Sequence, residues 1–220
     1  MNARVIILFG APGGGKGTQA TRLSAELKLP HVSTGDLFRE NLAQGTALGL
    51  RAKSFMESGK LVPDDVVLDM LFDRVARPDC KQGYLLDGFP RTLPQAAALD
   101  ARLAAAKASV QVIHLKVPES VLVERLVGRR TCKQCGNIHH VKFSAPKAAG
   151  RCDKCNGELE QRRDDSPDVV TKRLATYRAE TQPLEGHYKQ AGILHEVDGN
   201  RPADEVFKAL KQIATGVEVR

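Results

Sequence analysis

The sequence predicts an α/β fold, a five-stranded parallel sheet flanked by helices, and three observations predict it. Short apolar runs recur along the chain at 4–9, 31–32, 84–87, 110–117 and 193–197. Stretches with helical spacing lie between them, and strands that alternate with helices form parallel sheets covered on both faces. The first run passes directly into Gly10-Ala11-Pro12-Gly13-Gly14-Gly15-Lys16-Gly17-Thr18 and then a helix. Strand, Gly-x4-Gly-Lys turn and helix in that order make a phosphate-binding loop.

Taken in order, Val5 to Phe9 is an unbroken apolar run, as a strand buried on both faces requires. In the turn, glycines let backbone N–H groups converge on phosphate oxygens without side chains in the way. The following helix adds the positive end of its dipole, and Lys16 supplies a mobile charge for the outer phosphates. A glycine-rich turn without a ligand is the competing reading, and both the spacing and the strand–helix context oppose it. The usual loop carries Ser or Thr directly after Lys to hold magnesium. Gly17 stands there instead and Thr18 follows, so magnesium is expected to be held less directly, through water.

Gln19 to Lys28 is helical by the spacing of Ala20, Leu23 and Leu27, and Pro30 ends that unit. His31-Val32 reads as a short strand before Ser33-Thr34-Gly35-Asp36. Leu37 to Ala43 and Leu48 to Ser58 are predicted helices, broken near Gly45 and stopped by Gly59. Lys60-Leu61-Val62-Pro63 connects to an amphipathic helix from Asp64 to Arg77. Tyr84 to Asp87 is a strand that runs into Gly88-Phe89-Pro90-Arg91-Thr92. Leu93 to Lys107 is an alanine-rich helix, and Val110 to Val117 a fourth strand. Pro118 opens a helix to about Arg129, at a position where proline is tolerated. Thr131 to Asp165 loses helical period and carries paired cysteines, so it reads as an insertion. Ser166-Pro167-Asp168 starts a long helix to Lys189, which Pro183 should kink or break. Ile193 to Val197 is the last strand and Pro202 to Ile213 the last helix. Ligands of such a sheet bind beyond the carboxyl ends of its strands.

At 220 residues the chain suits one α/β domain with insertions. Its net charge of +7 suits anionic partners and does not choose among them. No apolar run approaches the ~18 residues of a membrane helix. Met1 to Phe9 lacks a signal peptide's apolar core and runs into the glycine loop. The expectation is a cytoplasmic, soluble protein without membrane contact, in which five cysteines do not form a disulfide framework. Cys80 stands alone and reads as a small core or surface residue.

Asp87 closes a buried strand, which beside a phosphate loop is the expected magnesium carboxylate; the bland alternative is a turn cap. Arg39, Arg91, Arg125, Arg129, Arg162 and Arg173 fall near loop starts, strand ends or the edges of the insertion. Arg125 and Arg129 are expected on one helix face, where their repulsion of a few tenths of a kcal/mol would be reversed by a bound polyphosphate. A solvated arginine face is the alternative for any one of them.

Gly10 to Thr18, Ser33-Thr34-Gly35-Asp36, Leu86-Asp87-Gly88-Phe89-Pro90-Arg91-Thr92, Gly128-Arg129-Arg130 and Arg162-Arg163-Asp164-Asp165 occur in one order. In these motifs the chain resembles the adenylate kinases of the long-lid form, over essentially its full length. The resemblance implies reversible phosphoryl transfer from MgATP to AMP giving two ADP. It implies a core of residues 1–32, 63–127 and 166–220, an AMP-binding helical insertion at 33–62, and a lid at 128–165. Thr34, Arg39, Lys60, Leu61, Val62, Gly88, Phe89, Pro90, Arg91 and Gln95 would hold AMP. Gly13, Gly14, Gly15, Lys16, Gly17, Thr18, Arg129, Ile138, His139 and Arg201 would hold ATP, with Arg125 against the ATP side. Arg162 and Arg173 would clamp the transferring phosphoryl group, joining Lys16, Arg91 and Arg125 in catalysis. The attacking oxygen of AMP is already ionised, so no general base is needed, and no His or Glu stands out beside the phosphate motifs. Alignment and charge stabilisation would carry the reaction.

Cys132-x2-Cys135 and Cys152-x2-Cys155 are separated by sixteen residues, the pattern of a four-thiolate zinc site. Iron or cobalt could occupy the same thiolates. His139 and His140 are not expected as ligands, because four cysteines close the site. Residues 128–165 hold nine Lys or Arg against five Asp or Glu. Four thiolates with zinc add about −2, so the insertion stays cationic. Val141 and Phe143 are almost its only core candidates. The resemblance places this chain among lids that carry metal, in contrast to lids held by polar side chains. Rival readings are a kinase of another monophosphate, a GTP-dependent AMP kinase, and a zinc-ribbon nucleic-acid-binding protein. Few aromatics for base stacking and a complete nucleotide fold around the cysteines oppose the last. A monomer with no nucleic-acid partner is expected.

Overall fold

The computed structural model describes residues 3–216; the expected core segments at 1–2 and 217–220 lie outside the described residues. The strands β1 (Arg4–Phe9), β2 (His31–Ser33), β3 (Gly83–Asp87), β4 (Ser109–Lys116) and β8 (Leu194–Asp198) form one parallel sheet in the order β2-β3-β1-β4-β8. Order reverses beside β1, so the loop that follows β1 opens at a switch point, where α/β sheets bind ligands. Val5 to Phe9 are at most 3% exposed, as their apolar run requires. One face of the sheet packs Val5, Ile7, Leu86, Leu99 and Tyr188. The other packs Ile6, Leu8, Leu85 and Ile113 against Leu23 of α1 (Lys16–Leu27) and Leu210 of α9 (Ala203–Thr215).

Three helices lie between α1 and β3: α2 (Thr34–Ala43), α3 (Ala47–Ser58) and α4 (Asp64–Val75). The first begins three residues before its apolar period, because the Ser33 side chain accepts from Asp36 N–H as an N-cap. Gly59 ends α3 in the left-handed region at φ 74°, as its position predicts. After β3 come α5 (Leu93–Ala105), β4 and α6 (Glu119–Val127).

The chain then departs from the sequence-based expectation. The helix ends at Val127, and Arg129 belongs to a strand, β5 (Arg129–Cys132). Arg125 and Arg129 therefore do not share a helix face. Adding a Cβ to Gly128 would drive it into the His140 ring, so the chain can turn here only with glycine. The insertion forms a small antiparallel sheet from β5, β6 (Ile138–His140) and β7 (Leu159–Glu160). Val141 and Phe143 are 54% and 53% exposed, so they are not its core. Buried Cys132, His139, His140 and Cys152 take that place.

The long helix predicted to Lys189 is divided as expected near Pro183. It consists of α7 (Pro167–Thr176), a wide π turn at Tyr177–Thr181, and α8 (Leu184–Gln190).

Candidate active site

The sequence-predicted nucleotide and phosphoryl-transfer residues all line one cavity of about 1750 Å³. Its floor is the phosphate loop. Gly13 and Gly15 have φ 82° and 87°, and Gly15 caps α1. A Cβ on Gly13 would also meet the Leu122 carbonyl oxygen at 2.9 Å. Positive φ and close approach to α6 together demand glycine there. Lys16 turns back on the loop and donates from Nζ to the carbonyls of Gly10 (2.6 Å) and Ala11 (2.9 Å). Burial pushes its pKa down to about 8; Asp87 opposes the shift, while Arg91, Arg173 and Arg129 add to it.

Asp87, at the end of β3, faces this loop. A Cβ on Gly17 would lie 3.4 Å from Asp87 Oδ2, so glycine leaves space between loop and carboxylate. His31 Nε2 lies 3.4 Å from the same oxygen. No signal in the sequence tied His31 to the site, because only the pairing of β2 with β3 brings them together.

On one side, the turn after β3 holds Arg91. Its Nε donates to the Gly88 carbonyl (2.7 Å), which also accepts from Thr34 Oγ1 (2.8 Å). The Phe89–Pro90 bond is cis. Arg39 pairs with Asp36 one turn earlier on α2. Burial lowers Arg91 to about 10, helped by the charge of Arg173.

On the other side, Arg129 forms a two-pronged pair with Asp165, at 2.8 Å from Nε and 2.6 Å from Nη2. Arg173 Nη1 reaches the same carboxylate at 3.0 Å and Asp164 Oδ2 at 3.0 Å. Asp165 has no exposed surface. Arg162 Nε donates to Thr131 Oγ1 at 2.9 Å. Burial, then the nearby Arg39 and Arg129, lowers Arg162 to about 9. Arg125 donates to the Gly199 carbonyl at 3.1 Å. Arg201 is farther out, 3.6 Å from Asp198. Asp164 and Asp165 stand in the Arg162-Arg163-Asp164-Asp165 motif, where no signal in the sequence points to a role for them. Adjacent acidic residues ordinarily imply solvent exposure, and only the fold shows Asp165 buried and Asp164 half-buried among arginines.

The four cysteine sulfurs lie within 4.8 Å of one another. Cys132 and Cys155 are 3.4 Å apart, Cys135 and Cys152 3.6 Å. A tetrahedral ion with metal–sulfur bonds of 2.3 Å needs sulfurs about 3.8 Å apart, so the set fits a closed metal site. Each Cys-x2-Cys turn is built alike: Cys132 N–H donates to the Asn137 carbonyl and Cys152 N–H to that of Gly157, both at 2.9 Å. His139 meets Asn137 Nδ2 and His140 the Glu124 carbonyl, each at 3.0 Å, and neither belongs to the four-sulfur cluster. Cys80 is 2% exposed, with Sγ 3.2 Å from Arg74 Nη1; it is a core residue.

Comparison with known proteins adds independent findings. Residues 8–193 match the family model described as adenylate kinase. The chain is 50% identical over 207 residues to an adenylate kinase of Carboxydothermus hydrogenoformans, covering 94% of this chain and 97% of that protein. It is 51% identical over 206 residues to one from Desulforudis audaxviator, covering 93% and 96%. With one from Methanocella arvoryzae it shares 50% over 206 residues, covering 93% and 95%. Similarity at this level along nearly the whole chain leaves one conclusion: it belongs to the adenylate kinase family.

Proposed function

We propose how this adenylate kinase divides its cleft between its nucleotides. The reaction is reversible transfer of the terminal phosphoryl group from MgATP to AMP, giving two ADP. The observation that carries the division is convergence. Lys16, Arg39, Arg91, Arg129, Arg162 and Arg173 come from separate segments and line one cavity.

ATP takes the loop from Gly13 to Thr18, where backbone N–H groups and Lys16 meet its phosphates, with Arg129, Ile138, His139, Arg201 and Arg125 beside it. AMP takes Thr34, Arg39, residues 60–62, the turn 88–91 and Gln95. Arg91, Arg162 and Arg173 stand between the two and meet the charge of the transferring group. Magnesium bound with ATP would neutralise part of the phosphate charge. Asp87 would hold it through water in the space Gly17 leaves. An ionised AMP phosphate oxygen attacks in line, so this chain's residues align and stabilise and no side chain takes a proton.

Residues 128–165 act as the lid and 33–62 as the acceptor-binding insertion, both carried by the rest of the chain as core. Support for closure comes from Arg163, at the lid's root, which reaches Glu57 of α3 at 2.8 Å. Thr176 of the core donates to the Gly59 carbonyl at 3.2 Å and ties the acceptor-binding insertion to α7. Such closure excludes water that would hydrolyse ATP. We read the lid metal as one structural zinc per chain, and the enzyme as a cytoplasmic monomer acting on free nucleotides. Among the described residues, no helix is long and apolar enough to cross a membrane. The test mixes the protein with MgATP and AMP, UMP or GMP in turn and follows ADP. Turnover with AMP supports the assignment. Turnover with UMP or GMP and none with AMP overturns it.

A further inference from the structure

Gln95 lines the acceptor side of the cavity yet is only 1% exposed, and both ends of its amide are committed. Nε2 donates to Asp64 Oδ1 at 2.6 Å, and Oε1 accepts from Arg91 N–H at 2.8 Å. Asp64, the first residue of α4, does not line the cavity. Its second oxygen accepts from Thr92 Oγ1 at 2.9 Å, and Thr92 is the N-cap of α5. A half-turn of the Gln95 amide would set Nε2 against the Arg91 N–H, donor on donor. It would also set Oε1 against the carboxylate, acceptor on acceptor. Ordinary glutamines can turn to suit a ligand; this one cannot.

A locked amide offers a base one N–H and one lone pair in a fixed order. A 6-aminopurine answers with a donor at N6 beside an acceptor at N1 or N7. A 6-oxopurine presents the acceptor O6 in place of that donor, next to N1–H on one edge and N7 on the other. An amide free to turn could follow the N1 edge of either base. We propose that Asp64 sets base specificity by locking Gln95, as a positioning residue that itself touches no nucleotide. This rests on the placement of the AMP base against Gln95. A site built to hydrogen-bond one pattern rejects its reverse strongly, because buried polar groups are then left unpaired.

The test compares AMP with inosine monophosphate, which differs in the 6-substituent and the N1 proton. Initial rates at saturating MgATP give kcat/KM for each with the wild-type protein, Asp64→Asn and Asp64→Ala. Asn can either accept from Gln95 or donate to it, so the lock becomes reversible. The expected result is a fall of about tenfold or more in the AMP-to-IMP ratio in whichever variant folds, with KM for ATP changing less than about twofold. Thr92→Ala, which removes the cap but leaves the Asp64–Gln95 bond, should lower Tm and retain the ratio. If both substrates lose the same factor in folded Asp64 variants, Asp64 only supports the fold and the proposal is overturned. Failure of the wild-type protein to use AMP at all would instead reject the underlying placement.

Discussion

Replacing Asp165 by Asn changes one fully buried carboxylate that holds two arginines of the cavity, Arg129 and Arg173. Arg129 loses a two-pronged pair at 2.8 and 2.6 Å, and Arg173 loses one bond at 3.0 Å. Hydrogen bonds to charged groups are worth about 1.5–3 kcal/mol each, and breaking a buried ion pair costs about 3–5 kcal/mol. Asparagine keeps one acceptor and turns an NH2 toward the guanidinium, so a loss of about 3 kcal/mol is expected. In a chain of this size, that corresponds to a Tm about 6–12 °C lower, less whatever the lid escapes by opening locally. The catalytic effect should be one-sided. Arg173 keeps Asp164 at 3.0 Å, whereas Arg129 loses its two-pronged carboxylate partner. KM for ATP should therefore rise while KM for AMP changes less than about threefold, and kcat should fall by about a hundredfold. A coupled ADP assay and thermal melting by circular dichroism measure both. An unchanged KM for ATP, with Tm within about 2 °C of wild type, would show that the pair positions nothing.

Lys16→Ala and Arg91→Ala should each lower kcat by about a hundredfold or more without unfolding the protein; normal turnover in a folded variant removes that residue from the mechanism. Lys16, with a pKa near 8 in the empty protein, must carry its proton to meet ATP. Phosphate raises that pKa on binding, so affinity for a non-hydrolysable ATP analogue should be roughly tenfold weaker at pH 9 than at pH 7. A flat calorimetric profile across that range would contradict it. Metal analysis should find one zinc per chain, and chelation or Cys152→Ser should lower Tm while leaving some activity in the cold. No metal in carefully reduced protein would reject the site. Complete loss of turnover on chelation, with magnesium restored and the fold intact, would assign the metal a direct role.

The sheet was legible because its strands are short apolar runs that nothing else in the sequence imitates. The phosphate loop and the Asp87 to Thr92 turn were legible because glycine and proline there do work that few residues can. Paired carboxylates were not. Asp64 lies in an ordinary acidic first turn, and its bond to Gln95 spans two helices and a strand. Arg129 misled for a local reason: leucines and valines of α6 set a helical period, but the helix is capped at Gly128, where a Cβ would run into the His140 ring. Val141 and Phe143 misled because hydrophobicity alone suggested a core. The lid's interior is built from sulfur and imidazole, with Phe143 stacked outside on His140 at 4.5 Å.

The cleft is crowded with like charge, and that crowding links its stability to its task. Burial alone would push Asp164 up, yet Arg173, Arg39, Arg129 and Arg162 together hold its carboxyl below the usual range. Asp36 behaves likewise beside Arg39. Even so, ten Lys or Arg side chains line the cavity against six carboxylates, Asp36, Glu40, Asp87, Glu124, Glu160 and Asp164. Arg91 feels Arg173 as a repulsive neighbour, and Arg173 in turn feels Arg129 and Arg39. Truncating Arg91 therefore removes repulsion as well as contacts in the empty protein, which is why the variant should fold while turnover collapses. Phosphate oxygens supply the anions that the fold withholds. In a site that excludes water, their attraction to fixed guanidinium groups is worth more than it would be outside. The carboxylates keep the arginines in place and leave part of their charge uncompensated, and on the proposed division of the cleft that remainder would meet the transferring phosphoryl group.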